Sequence, residues 1–220
     1  MTRRAENRAA KEASILTAAL KIFAQAGYSG ASMEAIATAA GITKPTLYQY
    51  FDSKDRLFTA MLLQTRATML TAFADPGQGN LVAQLHDFAW SYATTVLRPD
   101  MLALARLIIG EVQRFPDVGR AYQASGPDQL LAGMMHYLTA QRDAGYLTFD
   151  DAELAAQDLW GLILSAPRTQ ALYLPDAPPT HADLVRYIGN GLRVFLRAYS
   201  TNPTADVAAL ADLPPPQVTP

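Results

Sequence analysis

Thr43, Lys44, Thr46, Tyr48 and Gln49 bring two hydroxyls, an ammonium, a phenol and a carboxamide into one stretch of seven positions. Such a mixture of donors and acceptors suits base edges and phosphate oxygens. Leu47, Tyr50 and Phe51 fall at i, i+3 and i+4, so one short helix can bury them and leave the polar five outward. Catalysis has no comparable constellation. His86, His136 and His181 are scattered, there is no G-x-S-x-G elbow or P-loop, and Gly77-Gln78-Gly79 lacks the later glycine and the strand of a dinucleotide fingerprint. His86-Asp87 and Asp150-Asp151 with Glu153 read as surface or capping groups. No catalytic residue, metal site or cofactor is expected. The absence of cysteine excludes disulfides, thiolate metal sites and thiol redox sensing.

The elements that must position this face are written around it. Ser32 is a good N-cap, Glu34 favours the positive end of a helix dipole, and Ile36, Ala37 and Ala40 have helical spacing. Gly41 stops that helix, Ile42 follows as a turn hydrophobe, and Thr43 can cap the next. Pro45 is tolerable in a first turn, where backbone N–H groups have no intrahelical partner. Ala37, Ala40 and Gly41 allow the two helices to approach closely, and Ser53 caps a third that starts Lys54-Asp55-Arg56-Leu57. The pattern predicts a helix-turn-helix.

These residues resemble the N-terminal domain of the TetR/AcrR family of one-component bacterial transcription regulators. The likeness rests on Phe23, Gly27 and Tyr28, then Ile36-Ala37, Ala40-Gly41-Ile42, Thr46-Leu47-Tyr48, Tyr50-Phe51, and Lys54 with Leu57, and it spans residues 8–57. Arg114-Phe115-Pro116-Asp117 through Gly126-Pro127 is similar to the family's AefR-like C-terminal domains. Gln49 stands where the family often has His. The resemblance implies an all-α fold, an N-terminal three-helix domain joined by a long helix to a helical ligand-binding and dimerisation domain. The residues expected at DNA are Arg3, Arg4, Arg8, Ser32, Met33, Thr43, Lys44, Pro45, Thr46, Tyr48, Gln49 and Lys54. Among them, Lys54 would clamp a phosphate at the start of its helix.

Charge is distributed accordingly. The chain of 220 residues carries −2 overall, yet its first 56 residues hold eight Lys/Arg against five Asp/Glu. Of the totals of 18 basic and 20 acidic groups, that leaves ten basic and fifteen acidic groups for the remainder. A basic head on an acidic body is the electrostatic footprint of a DNA-binding domain attached to something else. No apolar run reaches the roughly 18 residues of a membrane span, so a cytoplasmic protein without a membrane partner is expected.

The expected domains are 1–57, with 1–7 a flexible arm, then 58–202, then a disordered Pro-rich tail at 203–220. Helices are predicted at 8–26, from Ser53 to about Ala74, and at 80–97, 100–115, 117–124, 127–144, 151–173 and 181–199. The long one should end at Asp75-Pro76-Gly77, and Pro167 should kink or split its own. Apolar and aromatic residues at helical spacing mark the second domain, and the resemblance implies a small, largely apolar effector there. Phe88, Tyr92, Ile108, Met134 and Trp160 are the candidate lining. Leu159, Ile163, Ala166, Tyr187, Gly191, Val194 and Phe195 are the candidate dimer interface, since the last two long helices carry more apolar residues than one face buries. The expected function is a homodimeric regulator, released as a repressor from a palindromic operator of double-stranded DNA. Activation, effector-independent DNA binding, and an enzyme or carrier using the helical domain are the alternatives.

Overall fold

The computed structural model describes residues 3–67 and 80–216, with side chains over 6–63 and 80–216. The expected all-α architecture is the one observed. Among the described residues, the β-type pairing is an isolated antiparallel bridge between Leu147 and Ser200. The helices fall into two compact units, one of Met1–Thr68 with Pro99–Asp128, the other of Met69–Arg98 with Gln129–Pro220.

The first unit opens with α1 (Arg3–Gly30), which breaks at Gly27 (φ 74°). Helix therefore starts inside the stretch expected as a flexible arm, because the alanines at 5, 9, 10 and 13 favour helix and nothing before Gly27 interrupts it. Then come α2 (Met33–Ala39), α3 (Lys44–Tyr50) and α4 (Lys54–Ala67). The remainder of the long helix expected to Ala74, and the break after it, lie outside the described residues.

After α5 (Leu81–Val96), which belongs to the second unit, α6 (Pro99–Glu111) and α7 (Pro116–Ser125) return to the first. Leu104, Leu107 and Ile108 of α6 and Val118 of α7 complete a core with Ile15, Phe23, Ile36, Leu47, Leu57 and Phe58. This differs from a boundary at residue 57. The three-helix head has apolar surface left over on α1 and α4, and a long-range return of chain covers it.

The second unit holds α5, most of α8 (Pro127–Asp143), α9 (Ala152–Tyr173), α10 (His181–Tyr199) and α11 (Pro203–Ala211). Helix α9 runs unbroken through Pro167, which is buried beside Leu164 and Ala171, so tertiary packing outweighs the lost backbone donor and the helix is not split. A Cβ at Gly191 of α10 would collide with the Leu162 carbonyl of α9, so glycine is what lets these backbones touch. Asp151 caps α9, and a reciprocal Thr180–Asp183 capping box starts α10.

Helix α11 corrects the expectation of disorder from 203. Pro203 is compatible with a first turn, Ser200 Oγ donates to Asp206 Oδ2 at 2.5 Å, and Val207, Ala209 and Leu210 pack against the core. A Pro-rich composition signalled a tail, but Pro203 is the first residue of the helix and the Pro214–Pro216 run follows it.

Candidate nucleic-acid interface

The turn between α2 and α3 is built by backbone bonds of a Schellman motif. Gly41 N–H donates to Thr38 O at 3.1 Å and Ile42 N–H to Ala37 O at 3.0 Å, with Gly41 at φ 64°, a conformation glycine adopts without steric cost. Ser32 Oγ accepts the Ala35 N–H at 3.1 Å and Thr43 Oγ1 accepts the Thr46 N–H at 3.3 Å. Both hydroxyls are thus helix caps, and both residues remain exposed, as does Pro45.

Helix α3 has the two faces its sequence implies. Leu47 is fully buried, while Tyr48 is 44% exposed and Thr43, Lys44 and Gln49 are also open, with Thr46 half-buried. Lys44 Nζ lies 3.6 Å from Glu34 Oε2 of α2, an exposed pair of the kind that holds little energy. The Arg8 guanidinium sits 5.6 Å over the Tyr50 ring, at the C-terminal end of α3. The side chains of Arg3 and Arg4 lie outside those described.

Two expected DNA contacts are engaged within the head, Met33 by burial and Lys54, which stays half-buried, by hydrogen bonds to backbone. Met33, 7% exposed, shares the buried face of α2 with Ile36 and Ala37 at i+3 and i+4, and that spacing sends it to the core. Lys54 Nζ donates to Tyr28 O at 2.8 Å and Ala31 O at 3.2 Å, and lies 4.7 Å from the Tyr28 ring centroid. Carbonyls at the end of α1 lack intrahelical partners, and an ammonium is the group that satisfies them.

Beside α3, an open groove of about 440 Å³ is lined by Tyr50, Phe51, Asp52, Asp55, Arg56, Thr59, Ala60 and Leu63. It lies outside the helices expected to hold an effector.

In the second unit, Phe88, Tyr92 and Met134 belong to one hydrophobic core and Trp160 packs against it. Phe88 and Tyr92 stack at 5.9 Å, and the Trp160 indole N–H donates to Tyr92 Oη at 2.5 Å. Tyr137 Oη donates to Gln84 Oε1 at 2.7 Å, and burial pushes its phenol above the ordinary tyrosine value. Ile108 is not among them. It packs in the other unit with Leu104 and Leu107, away from these aromatic residues in sequence and in core.

The dimer candidates divide by depth. Leu159, Ile163 and Phe195 are fully buried within the subunit and Gly191 serves the α9–α10 contact, so these four support a surface without forming it. Ala166 and Val194 are exposed and Tyr187 partly so. Sequence reasoning counted apolar residues on each helix, and periodicity does not say whether a partner helix comes from the same subunit. Tyr28 and Glu34 were read from the sequence as a family-like position and a helix-dipole group, whereas Glu111 was missed as a contributor to the head. Glu111 meets Ser29 across 82 positions of sequence, beyond any local signal.

Among the described residues, no helix is long and apolar enough to cross a membrane, and no cluster of three or more His, Asp or Glu could hold a metal.

A family model described as bacterial regulatory proteins of the tetR family matches residues 15–61, and one described as the AefR-like transcriptional repressor C-terminal domain matches residues 83–201. The transcriptional regulator UidR of Escherichia coli (strain K12) is 42% identical over 65 residues, 30% of this chain and 33% of that protein. The match thus spans about a third of that relative's length. A TetR-family regulator from Mesorhizobium loti MAFF303099 superposes with a TM-score of 0.79 at 29% identity, covering 91% of this chain and 100% of that one. The flavonoid-responsive regulator FrrA does so with a TM-score of 0.73 at 31% identity, covering 88% and 98%. A helix-turn-helix transcription regulator is the class that this head and its helical second unit define. The chain belongs to the TetR family, with a C-terminal domain of the AefR-like kind.

Proposed function

We propose that the protein is a homodimeric, effector-released repressor whose two heads read successive major grooves of a palindromic operator in the cytoplasm. The observation that carries this reading is α3 itself. Directly beyond a fully buried Leu47, the exposed Thr43, Lys44, Tyr48 and Gln49 make an open row of donors and acceptors of the kind that base edges and phosphates take. DNA fixes the distance between half-sites at about 34–36 Å. Rigid heads tied to a dimer therefore dock together only at one separation, and a small change in that separation abolishes binding.

The outward Ala166, Tyr187 and Val194 support a dimer through α9 and α10. The aromatic group of Phe88, Tyr92 and Trp160 supports a flat, largely apolar effector in the second unit, and the name of FrrA points to the same chemistry. Selection of bound duplexes from a random DNA pool, followed by release with a panel of flavonoids and other apolar aromatics, tests the scheme. Enrichment of a palindrome and its release by at least one compound are expected. By linkage, operator DNA must weaken that compound's binding by the same factor. Failure to enrich any sequence would overturn DNA reading, and operator affinity indifferent to every compound would overturn the effector arm.

A further inference from the structure

Lys54 and Glu111 both bond to the backbone of one short connector, residues 28–31, through which α1 passes into the N-cap of α2. Lys54 supplies two hydrogen bonds to its carbonyls, at Tyr28 and Ala31. Glu111, at the C-terminal end of α6, accepts the Ser29 N–H through Oε1 at 3.4 Å, and that oxygen stands where a side chain on Gly27 would have to go. Tyr28 of the connector is buried against Phe23, Phe58 and Phe115, with its hydroxyl donating to Asp55. Ser32, the next residue after the connector, caps α2, and α2 carries Glu34, the partner of Lys44 on the reading helix.

We infer that Lys54 and Glu111 are positioning residues for DNA reading. They form a clasp that sets the angle at which α2 and α3 leave α1, and Lys54 acts on the operator through this connector and not as a phosphate contact. The physical basis is the geometry of the bend. The break at Gly27 leaves an N–H, and the end of α1 leaves carbonyls, without helical partners, and a carboxylate and an ammonium from elements distant in sequence satisfy both kinds at once. The inference rests on the proposed DNA-reading function, and it makes the α6 return part of the reader.

The salt dependence of operator affinity separates positioning from phosphate contact, because each phosphate contact contributes about −0.9 to the slope of log K against log salt. Lys54→Gln in the full chain should weaken binding to the selected operator by about tenfold, the loss of hydrogen bonds to one charged group, with the slope unchanged. A slope shallower by about 0.9 per head would show a phosphate contact and overturn the assignment, as would unchanged affinity.

Glu111 provides the second arm should Lys54→Gln fail to fold. Removing an acidic charge favours DNA binding by simple electrostatics, whereas loss of the clasp opposes it, so the two accounts differ in sign. Glu111→Ala should lower operator affinity several-fold at constant slope, and Glu111→Gln, which keeps an acceptor oxygen, should restore it. Unchanged or raised affinity in Glu111→Ala would overturn the clasp. Wild-type protein that selects no operator would instead undo the function on which the inference rests, a distinguishable result.

Discussion

Lys44 and Tyr48 differ from their neighbour Leu47 in what truncation should remove. Lys44→Ala and Tyr48→Ala touch exposed groups, so each should leave the fold intact and weaken operator binding by about 1–3 kcal/mol if it reads a base or a desolvated phosphate. Fluorescence anisotropy at one fixed salt concentration measures this, and unchanged affinity in both would move the reading face elsewhere. Leu47→Ala instead opens a void in a fully buried site and should cost roughly 2–5 kcal/mol of stability, read by chemical denaturation. One position along the helix thus separates a recognition defect from a folding defect.

At the scale of elements, the α9–α10 pair makes two expected outcomes concrete. Gly191→Ala places a methyl against the Leu162 carbonyl, and since helix backbone yields poorly, a loss of about 1–3 kcal/mol in denaturant titration is expected. The same pair is joined by Tyr199 Oη donating to Asp158 Oδ2 at 2.5 Å. That bond to the carboxylate, with burial and the Asp158 charge, pushes the phenol from 10.0 up to about 12. A raised folded-state value means a stabilising contribution fully present below pH 10 and lost as pH rises from 10 to about 12. Tyr199→Phe should therefore be less stable at pH 8 and lose less further stability between pH 10 and 12 than the parent, as thermal melts across that range would register. On the acid side, Asp183 is held below its ordinary value by the Thr180 hydroxyl and backbone N–H, so this cap stabilises α10 at neutral pH and fails as pH falls through its depressed titration.

For the whole molecule, burial decides which charged substitution separates subunits and which unfolds them. Ile163 is fully enclosed by its own subunit, so Ile163→Glu buries an unpaired charge and should abolish folding. Val194 is 39% exposed on the outward side of α10. Val194→Glu should give a helical monomer, because a twofold interface receives the charge in two copies. Analytical ultracentrifugation with circular dichroism distinguishes the cases. A folded Val194→Glu protein that stays dimeric at micromolar concentration would place the interface on another surface.

Local chemistry was legible without coordinates wherever the determinant spans a few residues. Ser32, Gly41, Thr43 and Pro45 specify caps and a turn by their own sterics and hydrogen bonding, and Leu47 against Tyr48 specifies two faces by period alone. These set the helix-turn-helix and the outward face of α3. Partners far apart in sequence were decided only by tertiary structure. The return of α6 onto the head, the withdrawal of Ile108 to that core, and Lys54 facing carbonyls all depend on surfaces that exist once α1, α4 and α6 have met. The same limit hid α11, whose few apolar residues form no stable helix alone and are held in place by the core they cover. Periodicity names the face a helix must bury, and only packing names what buries it.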